Sequence, residues 1–201
     1  MGILDSIKPA PRRQRNVFLV VDTNERLGGY LQTKIANFIE EIVRSIHDVD
    51  VYSDDVEVKI AMLQFGGCKW VTSEEEPVSL EDFFLKQREQ CDMEGFGQAL
   101  IELDTKLSRT GFLKADYGCY TPVIIFIGSG YVAEDIDREI ERINSNNWFK
   151  HAIKIAVRTN MNADIDLFTK LTGNIETILD IDDRNILKMI AKCISYDDFV
   201  S

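Results

Sequence analysis

Near the start of the chain runs Val17-Phe-Leu-Val-Val-Asp22-Thr-Asn24-Glu-Arg26, in which five apolar residues end at an aspartate and a polar turn. A continuous apolar run of this length is typical of a strand that is buried on both faces of a parallel sheet. An amphipathic helical pattern follows the turn, so Asp22 is predicted at the carboxyl end of a strand. Open α/β sheets place their ligand sites at that edge. The segment therefore predicts a fold class and the position of a site.

Strand-like and helix-like segments alternate along the rest of the chain. The predicted strands are 17–21, 56–65, 68–72, 122–127, 152–157 and 175–179, and the predicted helices are 31–46, 80–87, 96–107, 136–143, 163–171 and 186–194. The tight turn at Gly66-Gly67 makes 68–72 an antiparallel edge strand. We therefore predict a three-layer, Rossmann-like α/β fold, with a mostly parallel six-stranded sheet, one antiparallel edge strand, and helices on both faces.

Length and composition predict a single folded unit. The 201 residues are 45% hydrophobic and 28% charged, which is enough for one core. The first 15 residues contain two prolines and three arginines, and they show neither a strand period nor a helix period. We expect a flexible N-terminal arm over 1–15 and one domain over 16–201.

The charge balance limits the class of partner. A formal net charge of -11 opposes binding to nucleic acid or to anionic membranes, because both require an excess of Lys and Arg. No apolar stretch reaches the roughly 18 residues that span a bilayer, and no signal-peptide pattern opens the chain. We expect a cytoplasmic protein whose partners are other proteins, with no nucleic acid and no membrane.

The residue types of common catalytic and metal sites are few and scattered. The four cysteines form no Cys-x-x-Cys pair, and the two histidines lie far from them in sequence, a spacing that is wrong for zinc. No Ser-His-Asp or Cys-His arrangement can be assembled, and Gly28-Gly29 is too short for a phosphate-binding loop. We therefore expect no catalytic residue, no cofactor and no enzymatic activity.

Three loops are predicted to meet at the carboxyl edge of the sheet. They begin at Asp22, at Glu94-Gly-Phe-Gly97-Gln-Ala-Leu and at Ile127-Gly-Ser129-Gly130. Their order along 17–194 resembles that of a von Willebrand factor A domain, and it is most similar to the bacterial TerY-like group associated with tellurite resistance and stress. This resemblance implies a non-catalytic protein-binding module with kinase-like or phosphatase-like partners.

The family's metal-ion-dependent adhesion site is altered in this chain. In the family, a cation such as magnesium is held by Asp-x-Ser-x-Ser, a threonine of the second loop and an aspartate of the third. The five corresponding residues here are Asp22, Asn24, Arg26, Glu94 and Ser129, of which the first alone is unchanged. A guanidinium beside a cation is strongly repulsive where solvent is scarce. We therefore predict a degenerate, metal-free site in which Arg26 pairs with Glu94 or Asp22.

Two alternatives stay open from the sequence. The oxygen atoms of Asp22, Asn24, Glu94 and Ser129 are hard ligands, which would suit a cation-dependent adaptor with weakly bound magnesium or calcium. Haloacid-dehalogenase-like phosphatases also end their first strand in Asp-x-Asp-x-Thr, which would make Asp22 a nucleophile. Asn24 stands where those enzymes have their general acid, and this replacement weighs against phosphoryl transfer.

The surface that docks a partner is predicted on the same loops. The candidate contacts are Glu25, Tyr30, Asp92, Phe96 and Tyr131. Tyrosine is enriched at the energetic centres of interfaces, so the two tyrosines are the predicted anchors.

Overall fold

A seven-stranded sheet runs through the part of the chain that the computed structural model describes, namely residues 12–23, 27–51, 56–65, 69–85, 95–160 and 163–195. The strands are β1 (Arg13–Asp22), β2 (Val56–Phe65), β3 (Lys69–Trp70), β4 (Val78–Ser79), β5 (Val123–Gly128), β6 (Ile153–Arg158) and β7 (Ile178–Asp180). The helices are α1 (Gly28–Val51), α2 (Phe96–Lys106), α3 (Asp137–Ser145), α4 (Asn147–His151), α5 (Ile165–Thr172) and α6 (Ile186–Ser195).

The sheet has the strand order β3-β2-β1-β5-β6-β7, and β4 also pairs with β2. Strands β2, β1, β5, β6 and β7 are parallel, whereas β3 and β4 run antiparallel to β2. The predicted α/β class and the antiparallel hairpin strand are confirmed. The two-residue strand β4 is an addition that the sequence did not predict. Because β1 is central, its carboxyl end lies between the loops of its neighbours.

Helices bury both faces of the sheet. Successive residues of a strand point to opposite faces, so Phe18 and Val20 pack with α2, α3 and α5, while Leu19 and Val21 pack with α1 and α6. All four side chains are fully buried. Burial on both faces explains why the strand reads as a continuous apolar run. Among the described residues, no helix is long and apolar enough to cross a bilayer.

Strand β1 begins at Arg13, earlier than the apolar run and inside the segment predicted as an arm. Arg15 and Asn16 are fully buried in it. The Asn16 side-chain amide donates to the carbonyl oxygen of Phe112 at 2.8 Å, and the Arg15 guanidinium donates to the carbonyl oxygen of Ile194. Polar side chains that have such partners can be buried in a strand. Because Arg15 and Asn16 are polar, the start of β1 was predicted at Val17 rather than at Arg13.

Residues 80–85 do not form the helix that was predicted over 80–87. Residues 80–82 make a single turn, and 83–85 are irregular. Phe83 and Leu85 both pack against the core beside α1, and this spacing of two suits an extended chain rather than a helix. The rest of the predicted helix lies outside the described residues.

Candidate functional site

Asp22 and Ser129 come together at the carboxyl edge of the sheet. The parallel strands β1 and β5 are neighbours in which Val21 pairs with Ile127, so both chains leave the sheet side by side. The Ser129 hydroxyl donates a hydrogen bond to Asp22 Oδ2 at 3.3 Å. Asp22 is only 3% exposed. A buried carboxylate thus has a hydroxyl partner from the neighbouring loop.

Gly128 allows β5 to lie close to Asp22. A Cβ atom at this position would lie 2.7 Å from Asp22 Cβ and 3.3 Å from its Oδ2 atom. Such approaches are shorter than van der Waals contact, so a side chain would displace the carboxylate. Gly128 was not among the residues predicted for the site. Its place at the end of a buried strand was the available signal, since glycine there often marks a close approach.

Thr23 joins the carboxyl end of β1 to β2. Its hydroxyl donates to the carbonyl oxygen of Phe65 at 3.1 Å, and its backbone N–H donates to the same oxygen at 3.3 Å. Thr23 is 2% exposed. Its role is therefore to fix the position from which the first loop departs. This role could not be predicted from the sequence, because the hydrogen bond depends on the register between β1 and β2.

The loop after β5 turns sharply and docks on the start of α5. The Ser129 hydroxyl accepts the backbone N–H of Tyr131 at 3.3 Å, and the Ser129 carbonyl oxygen accepts the N–H of Asp164 at 3.0 Å. Gly130 has a φ of 70° and lies against the backbone of Asp164. Glycine suits this left-handed conformation at little cost. The turn leaves the Tyr131 side chain 65% exposed.

Phe96 supports the second loop from within the core. Its side chain is 4% exposed, and its ring packs edge to face on Phe65 with centroids 4.7 Å apart. Although Phe96 was a predicted partner contact, the described ring is not available at the surface. Tyr30, in the first turn of α1, is in contrast 80% exposed.

The remaining candidate positions, Asn24, Glu25, Arg26, Asp92 and Glu94, lie outside the described residues. The ion pair of Arg26 with Glu94 or Asp22 therefore stays a prediction. Within the described ranges, no three His, Cys, Asp or Glu side chains are grouped as a metal site would require. Asp22 and Ser129 offer two hard oxygen ligands, a partial fit to the six or more oxygens that magnesium or calcium takes.

The two described cysteines are half-buried. Burial raises the pKa of the thiols of Cys119 and Cys193, and nearby basic side chains only partly oppose this effect. Because the thiolate is the nucleophile and the metal ligand, this shift disfavours reactivity at neutral pH. Cys68 and Cys91 lie outside the described residues.

Solved structures with this architecture include von Willebrand factor A proteins. Proximal thread matrix protein 1 from the mussel byssus matches with a TM-score of 0.63 and 13% identity, over 92% of this chain and 48% of that chain. A von Willebrand factor type A structure from Catenulispora acidiphila matches with a TM-score of 0.62 and 11% identity, over 90% of this chain and 43% of that chain. The chain thus spans about half the length of these proteins.

A further structure of the mussel protein has zinc in its metal-ion-dependent adhesion site motif, and it matches with a TM-score of 0.58 and 12% identity, over 92% of this chain and 48% of that chain. No protein-family model matches the sequence, and no curated protein is significantly similar to it. At identities this low, the likeness establishes the fold alone. The chain has the Rossmann-like fold of von Willebrand factor A domains, as the order of its loops predicted.

Proposed function

We propose that this chain is a non-catalytic, von Willebrand factor A-like interaction module that docks a protein partner on its carboxyl edge without a metal ion. The observation that carries the proposal is the Ser129–Asp22 hydrogen bond, flanked by exposed tyrosines. Tyr30 is 80% exposed and lies in the first turn of α1, and Tyr131 is 65% exposed and lies on the loop that follows β5. Large aromatic side chains of this kind are frequent anchors at protein interfaces.

The chemistry of the third loop supports independence from metal. A serine hydroxyl can donate to Asp22, as it does at 3.3 Å, whereas an ionised aspartate at that position could only repel it. A buried carboxylate that accepts a hydrogen bond is more stable than an unpaired one. The predicted positive charge of Arg26 would further reduce the need for a cation.

We further propose a bacterial stress or tellurite-resistance setting, with kinase-like or phosphatase-like partners in the cytoplasm. The support is the resemblance of the loop order to the TerY-like group. This part of the proposal is tested by the identity of the partner.

A cation-dependent adaptor is the second candidate. The oxygen atoms of Asp22 and Ser129 are close enough to face one ion, and carboxylate and hydroxyl are both suitable ligands. In this case the partner would dissociate when a chelator removes the cation.

Site-specific photo-crosslinking tests the proposal. Tyr131 would be replaced by benzoylphenylalanine, and Tyr117 would be replaced in the control. Tyr117 is 63% exposed and lies at the opposite edge, where the carbonyl oxygen of Gly118 accepts the N–H of Gln14 near the start of β1. In a native lysate, we expect position 131 to capture a defined protein with or without EDTA, and position 117 to capture none.

Two outcomes would count against the proposal. Equal capture from both positions would mean that the carboxyl edge is not the docking surface. Capture from position 131 that EDTA abolishes would favour the cation-dependent adaptor.

A further inference from the structure

An open groove, which we call the α1 groove, runs along the outer side of α1, between this helix and the segment 80–85. Its volume is about 410 Å³, and its walls include Val43, Arg44, His47, Phe83, Phe84 and Leu85. A concavity of this size can bury a side chain of a partner. Residues 40–47 lie roughly 18–29 Å along α1 from its first residue, Gly28, at 1.5 Å per residue. The groove is therefore separate from the carboxyl edge of the sheet.

Phe84 borders the α1 groove and is unusually exposed for a phenylalanine. Among the described residues, it is the most exposed large side chain that has no polar atom, at 77%. Phe83 and Leu85 pack against the core beside α1, and successive side chains of an extended segment point in opposite directions. The ring of Phe84 therefore points away from the core. With the groove beside it, this ring forms a contiguous apolar patch, and such patches mark interaction sites.

The charged residues of α1 beside this patch have both signs. Glu40 and Arg44 are both exposed and lie one turn apart on the same face of the helix. In the parts of the chain that the structure describes, neither side chain belongs to an ion pair. Both residues also line the groove. The groove thus offers one acidic group and one basic group to a partner.

This arrangement of charge is complementary to itself. A two-fold axis places residue i of one copy against residue j of the other, and residue j against residue i. If two α1 helices meet antiparallel, with the axis midway between Glu40 and Arg44, each carboxylate lies opposite the guanidinium of the other copy. A uniformly acidic or basic partner would instead meet one like charge. The groove therefore fits a second copy of this chain.

The net charge of the molecule limits where two copies can meet. Each chain carries a formal charge of -11, so two copies repel each other over most of their surfaces. The repulsion is smallest where opposite charges accompany an apolar patch. Complementary charge also fixes the register of an interface. The α1 groove combines these properties with an exposed aromatic ring.

We propose that the α1 groove is the interface of a two-fold symmetric homodimer, in which Phe84 of each copy enters the groove of the other and Glu40 pairs with Arg44 across the axis. This inference goes beyond the proposed function, because the dimer leaves the carboxyl edge free for a partner. One helix stripe and one short segment are a smaller surface than the roughly 800 Å² per partner of a stable interface. The dimer is therefore reversible, with a Kd of about 10–100 μM.

Sedimentation velocity of the purified chain tests the dimer and the part of Phe84 in it. From about 5 to 500 μM, we expect the wild type to change from monomer to dimer. In Phe84→Ser, we expect dimerisation to weaken at least about tenfold, because the interface loses its aromatic centre. The control is Ile175→Ser, which removes a side chain that is 61% exposed on another element, and we expect less than about a twofold change. A monomeric wild type, or equal losses in the two variants, would overturn the inference.

A charge exchange tests the two-fold register. Glu40→Arg and Arg44→Glu each place like charges opposite each other, so we expect each variant alone to dimerise at least about tenfold more weakly. In a 1:1 mixture of the two variants, every pair across the axis is again of opposite sign, and we expect heterodimers with an affinity within about threefold of the wild type. Recovery on mixing requires two folded chains, so it also shows that both variants fold. A mixture that stays monomeric would overturn the inference.

Other occupants of the groove give different results. If another segment of this chain or an unrelated protein covered it, the purified wild type would sediment as a monomer at every concentration, which would exclude the dimer. Neither result alters crosslinking from position 131, because the groove lies away from the carboxyl edge. The inference and the proposed function therefore fail separately.

Discussion

Two adjacent residues, Gly128 and Ser129, define the geometry of the site. The missing side chain at 128 lets β5 approach Asp22, and the hydroxyl at 129 supplies the carboxylate with a donor. The position of the buried Asp22 side chain and its hydrogen-bond donor therefore depend on the neighbouring strand β5 as well as on β1.

Replacing Gly128 tests this close approach. In Gly128→Ala, the new methyl group would lie 2.7 Å from Asp22 Cβ, which cannot move without shifting β1. We expect the free energy of unfolding to fall by about 1–3 kcal/mol, measured by urea denaturation, as for other overpacked cores. The control is Gly29→Ala in α1, where no atom lies within 4 Å and we expect a gain of about 0.5–1 kcal/mol. Wild-type stability of Gly128→Ala would contradict the described contact.

The sequence indicated part of this site. The strand-end position of Asp22 and its proximity to Ser129 follow from two apolar runs in a parallel sheet. The roles of Gly128 and Thr23 depend on the distance and register between strands, which no local pattern encodes. Phe96 lies in the predicted helix, but its burial leaves it unavailable as the predicted partner contact. An aromatic residue at the start of a helix is compatible with both an exposed anchor and a core position, so the sequence could not decide between them.

At the scale of elements, Asn146 connects the ends of three helices. Its Oδ1 atom accepts the N–H groups of Trp148 and Phe149 at 2.8 and 3.4 Å, which caps α4. Its side-chain NH₂ group donates to a carboxylate oxygen of Asp104 at 2.9 Å and to the carbonyl oxygen of Leu107 at 3.1 Å, which satisfies groups at the end of α2. Helix α3 ends and helix α4 begins at this residue, which is the C-cap of the first and the N-cap of the second.

Removing that side chain should destabilise the protein. We expect Asn146→Ala to lower the free energy of unfolding by about 2–3 kcal/mol, because it removes a helix cap and leaves acceptors of α2 without a donor. The exposed neighbour provides the control, Asn147→Ala, for which we expect a change of less than about 0.5 kcal/mol. Asn146→Asp retains the capping oxygen and loses the donors, so its stability should be intermediate. Equal free energies of unfolding for Asn146→Ala and Asn147→Ala, measured by urea denaturation, would show that Asn146 does not connect the helices.

Elements with a clear period were predicted well, whereas short ones were not. Strand β2 covers the predicted 56–65, and α1 buries the predicted face. The last strand was predicted over 175–179, but 175–177 form a 3₁₀ helix and Ile175 is 61% exposed. The side chain of Asn174 starts that turn by accepting the N–H of Glu176 at 2.9 Å. A single capping side chain can override a weak apolar pattern.

At the scale of the whole molecule, the sheet is buried, and among the described residues Arg15 and Asp22 are the only charged side chains that are buried with it. The net charge of -11 is consistent with a surface that selects its partners by electrostatics. The fold was predictable because apolar runs, helical faces and turn residues all agreed on one architecture. The identity of the partner was not predictable, since the affinity for a partner depends on side chains that several loops bring together. A docking edge that works without a metal ion is a property of the assembled molecule, because three loops form it.

Titration of the chelator-treated protein with magnesium, calcium and manganese tests most directly whether the carboxyl edge is metal-free, by calorimetry and by thermal melting at the same concentrations. We predict no saturable heat and no change in melting temperature. A cation present at a hundred times its Kd would add about 2.7 kcal/mol of stability, which both methods would detect. Saturable heat with a rise in melting temperature, both abolished by the near-isosteric Asp22→Asn, would show that Asp22 holds a cation and would contradict the metal-free site.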